Sequence, residues 1–323
     1  MEKKENIRET INKLPKLPGI YKMIDSNGNI IYIGKSKCLK NRVNSYFTKN
    51  HTFEKIKKMV SLIDSIEYTV TDTHLEARLL ECMLIKDVKP HFNSQMKHDQ
   101  GYVYLTLADK NKNQPLSITL DKREGSFGPF RSKTTLMNSI AMLRSLYPIK
   151  KSNDVNNPYD FTYHIFPVSL DKDMYHMTKD LLIDLLNNEE HMRLFLEQLE
   201  VRMMEASDEF RFETAIFYRE LISNITYLLL VLDGYKELYD KKIIAKIPTI
   251  DGHKLFLIHK GTILASKKYK RLRDTYIESF TRKYQNANLK YDIPNDEKVA
   301  KDFKDIIYSE LLSLPKSDLI YLN

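Results

Sequence analysis

GIYKMIDSNGNIIYIG, residues 19–34, is the stretch on which the fold of this chain turns. Two apolar runs, 19–24 and 30–34, flank Ser26-Asn27-Gly28-Asn29. Asn-Gly between apolar runs is a strong hairpin signal, because both residues of a two-residue turn need positive φ. Such a turn pairs Ser26 with Asn29, so that paired positions sum to 55. Tyr32 then lies opposite Met23, and Tyr21 opposite Gly34. Side chains alternate faces along a strand. Tyr21, Met23, Tyr32 and Gly34 therefore share one face, with the tyrosines as diagonal neighbours. Gly34 has no side chain, which opens space beside the Tyr21 ring. Register alone gives these rings no chemistry, since half-buried aromatics commonly strengthen a hairpin.

Working outward, Ser36 is placed to cap a helix that carries Leu39, Val43 and Tyr46 on one side. Residues 53–64 read as a further helix, IEYTV (66–70) as a strand, and 73–87 as a strong helix stopped by Pro90. The order β-β-α-α-β-α predicts a small mixed α/β domain over 1–100, with a three-stranded antiparallel sheet flanked by helices. Residues 101–190 read as a connecting α/β region. It holds two strands (YVYLTL, PLSITL), the turn-rich FGPF, a helix at 132–147, a polar stretch SNDVNNPYD at 152–160 and a helix at 172–187. Helical patterns at 190–206 and 210–232 predict a helical hairpin over 191–240. In 241–323, HKLFLIHKGTIL (253–264) reads as a second hairpin, and 266–313 as mostly helical with a break at Pro294.

Composition excludes several classes. Of 323 residues, 42% are hydrophobic and 29% charged, which fits a globular protein. No uninterrupted apolar run approaches the roughly 18 residues of a membrane span. The start, MEKKENIRET, lacks the apolar core of a secretory signal. Two cysteines, Cys38 and Cys82, fit a reducing cytoplasm and leave no set for structural zinc. The net charge of +8 suggests a polyanionic partner. Residues 35–58 concentrate it: Lys35, Lys37, Lys40, Arg42, Lys49, Lys55, Lys57 and Lys58 stand against Glu54 alone. This is either a solvated helix face or a phosphate-contacting stripe.

Three further residues stand out. Glu76 falls on the side of the 73–87 helix that carries Leu79, Leu80, Met83 and Leu84. A carboxylate there needs a partner or a metal. Glu81 lies about 140° away around the helix and reads as a solvent-side charge. Asn93 follows Lys89-Pro90-His91-Phe92 as a loop residue.

PGIY (18–21), YIGK (32–35), Arg42 and Tyr46, then Glu76 and Asn93, follow the order and spacing of the GIY-YIG nuclease motif. The chain over roughly 14–150 resembles the nuclease domain of the bacterial UvrC excinuclease family, through LPGIYKMIDSNGNIIYIGKSKCLKNRVNSYF, VTDTHLEARLLECMLIKDVKPHFN, FGPF and LRSLYPIKK (143–151). LEQLEVRMMEASDEFRFETAIFYRELISN (196–224) resembles the UVR motif, with Met203, Phe212, Glu213 and Arg219 among the matching positions. These resemblances imply a metal-dependent DNA endonuclease of nucleotide excision repair in the cytoplasm, incising damaged duplex on the 3′ side of a lesion. The hairpin is then expected to contact the excinuclease partner UvrB, unless it merely packs within this chain. Further readings are a non-catalytic adaptor for DNA or UvrB, and a free-standing structure-specific nuclease.

The implied site is Tyr21, Tyr32, Lys35, Arg42, Tyr46, Glu76 and Asn93. Glu76 is expected to hold one Mg²⁺, with Mn²⁺ able to substitute. Tyr32, with Lys35 beside it, is expected to act as general base, and Tyr21 is the runner-up. Arg42 is expected to clamp the phosphate, Tyr46 to lie near it, and Asn93 to hold the geometry. Lys37, Lys40, Lys49, Lys57 and Lys58 are expected to contact DNA. The chain departs from the family in lacking the cysteines of an iron–sulfur cluster after the nuclease domain, so none is expected. The basic-aromatic stretch KKYKRLR (267–273), with Tyr276 and Phe280 beyond it, matches neither resemblance. A DNA contact and a solvated helix are both open to it.

Overall fold

The computed structural model describes residues 2–48, 53–97, 101–107, 114–233, 238, 240–284 and 296–322. By internal contacts the chain divides into two compact units, Met1–Asp99 with Tyr235–Asn323, and Gln100–Gly234. The segment after 240 thus joins the first hundred residues.

In the first unit, β1 (Gly19–Ile24), β2 (Ile30–Ser36) and β3 (Ser65–Val70) form an antiparallel sheet in the order β2-β1-β3. The register agrees with the sequence: Tyr21 pairs Gly34 and Met23 pairs Tyr32. The turn does not. The register shifts at Met23/Ile24, and Ile24 pairs Ile30. Gly28 has φ +80, while Asn27 is not among the positive-φ residues. Asp25 replaces the second left-handed residue: its carboxylate accepts from the N–H groups of Asn27 and Asn29, both at 2.9 Å. A longer loop with one left-handed glycine and a bulge satisfies the strand twist as a two-residue turn would.

Helices α1 (Glu2–Lys13), α2 (Leu39–Thr48) and α3 (Glu54–Leu62) contribute to one core with this sheet. Ile7, Ile11, Leu39, Val43, Tyr46 and Met59 meet Tyr21, Met23 and Ile66 there. Helix α4 (His74–Val88) packs against β1 and β2. It begins in a capping box, with Thr73 accepting from the Glu76 N–H and Glu76 accepting from the Thr73 N–H. It ends on Lys89 in the left-handed region (φ 50), just before Pro90.

Residues 242–322 add a four-stranded antiparallel sheet in the order β11-β10-β9-β12. Its strands are β9 (Lys242–Thr249), β10 (Gly252–His259), β11 (Thr262–Tyr269) and β12 (Leu319–Leu322). Alternation sorts its apolar side chains into two cores. Ile244, Leu255, Leu257 and Leu264 pack with Phe280 of α9 (Asp274–Tyr284). Ile243, Ala245, Phe256 and Ile258 pack with Ile306, Ile307 and Leu311 of α10 (Glu297–Ser313), and with Leu75 and Cys82 of α4. The start of KKYKRLR extends β11 and is not helical. Pro294 lies outside the described residues.

The second unit has one core. Strands β4 (Val103–Leu107), β5 (Leu116–Thr119) and β6 (Phe127–Phe130) form a sheet in the order β5-β4-β6. Helices α5 (Lys133–Arg144), α6 (Lys172–Asn187), α7 (Glu189–Asp208) and α8 (Phe212–Asp233) share the core with it. The hairpin α7–α8 therefore packs inside this chain along one side, through Phe195, Leu199, Leu221, Ile225 and Leu228. Among the described residues, α8 is the one helix that by length and composition would suffice to cross a bilayer. Here its apolar side contributes to the unit's core.

The chain's two cysteines, Cys38 and Cys82, both belong to the first unit. Strands β7 (Lys150–Lys151) and β8 (Tyr159–Asp160) pair. Buried Gln198 accepts from the Tyr159 N–H at 3.0 Å and donates to the Tyr159 carbonyl at 2.6 Å.

Candidate active site

The sheet and α4 meet at a cavity of about 580 Å³, lined by Tyr32, Lys35, Lys37, Arg42, His74, Glu81 and Asn93, with Ser36, Ile85 and Phe92 among the rest. The hairpin supplies the first of these side chains. Tyr21 is fully buried, and its hydroxyl lies 3.0 Å from that of Tyr46. The Tyr46 hydroxyl donates to that of Tyr32 at 3.5 Å. The three rings form a triangle with centroids 6.1–6.2 Å apart. Tyr32 alone of the three lines the cavity.

Gly34 makes this triangle fit. A Cβ there would lie 2.4 Å from the Tyr21 hydroxyl and 2.5 Å from its Cζ. The space the sequence predicts is filled by the tyrosine itself. Gly34→Ala is expected to displace the ring and destabilise the protein by about 1–3 kcal/mol, as overpacking does. Urea unfolding at neutral pH measures this; an unchanged midpoint would show that the ring moves freely.

Burial, then the neighbouring phenols, push the Tyr21 and Tyr32 hydroxyls well above their usual range, against the opposing pull of Arg42. Both are phenols at neutral pH. The Arg42 guanidinium sits 5.0 Å above the Tyr46 ring, in cation–π contact. It arises from α2, whose buried side holds Leu39, Val43 and Tyr46 and so turns Arg42 toward the cavity.

Lys35 is engaged by Glu81. Its ammonium lies 2.6 Å from Glu81 Oε2, and its backbone N–H donates to Glu81 Oε1 at 3.1 Å. Glu81 is only 7% exposed, and its charge is a further cause that raises Tyr32. Asn93 takes both polar groups of Ile33: it accepts from the N–H at 2.9 Å and donates to the carbonyl at 2.8 Å. It thereby pins β2 between Tyr32 and Gly34. His74 sits two turns before Glu81 on α4, and burial lowers its pKa.

Residues 17–94 match the family profile of the UvrC-like GIY-YIG domain. This segment is a UvrC-like GIY-YIG domain. The chain is 35% identical over 230 residues to UvrABC system protein C of Desulfitobacterium hafniense, covering 68% of this chain and 37% of that protein. It is 32% identical over 311 residues to the protein of the same name from Caldanaerobacter subterraneus, covering 88% and 50%. It thus spans between about a third and a half of the length of these relatives. A solved structure of the GIY-YIG N-terminal endonuclease domain of UvrC from Thermotoga maritima, bound to magnesium as its catalytic divalent cation, is 39% identical. The match covers 28% of this chain and 98% of that one, with a TM-score of 0.26.

Within the GIY-YIG domain, the expectation for Glu76 is corrected. Glu76 does not line the cavity. It caps α4 and forms an ion pair with Lys254 of β10. Glu81, read as a solvent-side charge, is the buried carboxylate at the cavity. The reason lies in α4. Its buried residues are Leu75, Ala77, Glu81, Cys82 and Ile85, whereas Met83 is 51% exposed. Ala77, Glu81 and Ile85 form a single i, i+4, i+8 row, and Leu75 and Cys82 a second. The Leu79–Leu84 stripe is the louder signal and marks neither. An acid inside the quiet row is the available clue.

The basic residues scatter. Lys37 is exposed at the cavity. Lys40 donates to the Asn12 carbonyl at 2.8 Å and so ties α2 to α1. Lys57 pairs with Glu54 at 2.7 Å, and Lys58 is exposed. Lys49 lies outside the described residues. On the α7–α8 hairpin, Met203 packs against the core while Phe212, Glu213 and Arg219 are exposed.

Proposed function

We propose that this chain is a metal-dependent endonuclease of nucleotide excision repair, cutting damaged DNA on the 3′ side of a lesion at the Tyr32–Arg42–Glu81 cavity. The observation that carries this reading is the convergence of Glu81, Arg42, Tyr32 and Asn93 on one cavity of a UvrC-like GIY-YIG domain. The donor set fits one hard divalent cation. Glu81 offers two carboxylate oxygens beside an open, polar space. Among the described residues, no three or more His, Cys, Asp or Glu cluster as a ligand set. One carboxylate with water and phosphate oxygens is the usual environment of Mg²⁺. When bound, the ion supplies charge neutralisation at the phosphate and a more acidic water.

The chain's own groups divide the remaining work. Arg42 is rigidly backed by Tyr46 and presents its planar donors to a phosphate. Tyr32 is the phenol that faces the cavity and, as phenolate with its own proton released to solvent, is the proton acceptor. As a phenol at neutral pH it needs added positive charge to ionise, which Arg42 supplies in part. Tyr21, behind it, positions Tyr46 through their hydrogen bond. Asn93 holds the β2 backbone that carries Tyr32. The α7–α8 tip, with Phe210 80% and Phe212 58% exposed, is the surface offered to UvrB.

The test is incision of a lesion-bearing duplex by purified protein with UvrA, UvrB and Mg²⁺. A 3′-side cut that disappears with EDTA is expected. No cut with any divalent metal would leave the adaptor reading in its place.

A further inference from the structure

We propose that Lys267, Lys270, Arg271 and Arg273, with the stacked rings of Tyr269 and Tyr276, form a second nucleic-acid-binding surface that takes unpaired DNA. This deepens the nuclease reading and rests on it for the choice of polyanion. Residues 267–273 contain five cations and no acid. The structure sorts them. On β11, Lys268 faces one way and pairs with Asp72 and Asp251, at 2.9 and 2.8 Å. Lys267 and Tyr269 face the other way, with the Lys267 ammonium 5.2 Å above the Tyr269 ring. Lys267, Lys270, Arg271 and Arg273 are exposed, and none has an ion pair among the described residues.

The rings supply what a solvated charge run lacks. Tyr269 and Tyr276 stack at 5.5 Å with 19° between their planes, and Tyr276 is 41% exposed. Phe280, one turn further along α9 and 1% exposed, anchors that helix in the core. The stack is therefore held from beneath and open above. Unpaired cations around an open aromatic platform match the chemistry of single-stranded nucleic acid, whose phosphates take the cations while a base takes the ring.

The test is binding of a labelled oligothymidine to the full chain in EDTA, measured by fluorescence anisotropy across a salt series. Cleavage plays no part in it, so a failed nuclease reading leaves this readout intact. The quadruple variant Lys267→Gln/Lys270→Gln/Arg271→Gln/Arg273→Gln is expected to lower the slope of log Kd against log salt by about 2–3. Tyr276→Ala is expected to weaken binding about 5- to 100-fold, and Tyr276→Phe to restore it. Unchanged affinity and slope in both variants would overturn the proposal. So would loss of binding to phosphatidylserine vesicles with oligothymidine binding intact, since the surface would then serve a membrane. All five positions are exposed, so unchanged melting curves separate loss of contact from loss of fold.

Discussion

Glu81→Gln is expected to lower Mg²⁺-dependent cleavage by about 10²–10³-fold, while Glu76→Ala leaves turnover intact and lowers stability instead. The two acids are five residues apart on one helix, yet their surroundings divide their roles. Glu81 meets the cavity with its charge balanced by Lys35. Its replacement by an amide keeps an acceptor for the Lys35 N–H and removes the charge that attracts a divalent ion. The loss should match that of other electrostatic groups that act at the reacting centre. Glu76 spends its carboxylate on the Thr73 N–H, the Thr73 hydroxyl and Lys254. Alanine there removes the return half of the capping box, worth about 1 kcal/mol, while the Thr73 half remains. It also leaves Lys254 with Asp72 as its remaining acid partner. Single-turnover cleavage and thermal melting, run on both variants, separate the two outcomes. Cleavage lost in Glu76→Ala and kept in Glu81→Gln would place the metal elsewhere and end the assignment of Glu81.

These two residues also show where the sequence is legible. Strand register is a local property, because alternation and a short turn fix it within 16 residues. Tyr21 opposite Gly34 can thus be read directly. The turn type cannot, since Asp25 replaces a left-handed backbone with side-chain hydrogen bonds, and both solutions leave the same register beyond the bulge. Helix α4 fails for a different reason. A hydrophobic stripe identifies the buried side of a helix that is covered once. α4 is covered twice, by β1 and β2 and by the C-terminal sheet with α10. Its second cover comes from residues more than 150 positions away, which no local pattern near Glu76 reveals. The same distance hides the role of Lys254, and turns KKY from a helical reading into the end of a strand. Charge counting identifies a basic stripe at 35–58 but not its division into cavity, helix tie and surface, because that depends on which acid or carbonyl each lysine meets.

The second cover of α4 carries the largest expected effect on stability. Asp302 of α10 is 1% exposed and lies 2.7 Å from the Lys86 ammonium of α4, itself nearly buried. Two charges held this far from water need compensation, and each supplies part of the other's. Asp302→Ala leaves Lys86 facing the interface without this counter-charge and is expected to cost about 3–5 kcal/mol. Replacing both, as Lys86→Met/Asp302→Leu, is expected to recover most of that loss, since well-packed apolar groups often match a buried pair. Urea unfolding of the full chain measures all three proteins, and the coupling between the substitutions gives the pair's own contribution. The outer pair, Arg78 with Glu310 at 2.9 Å, is more exposed and should couple more weakly. A single variant as stable as the parent would mean that Lys86 reaches water or another acid when Asp302 is gone. α10 would then merely rest on α4. If the cost is as large as expected, α10 is part of what holds α4 in place. The position of Glu81, little more than one turn from Lys86, then depends on residues at the opposite end of the sequence.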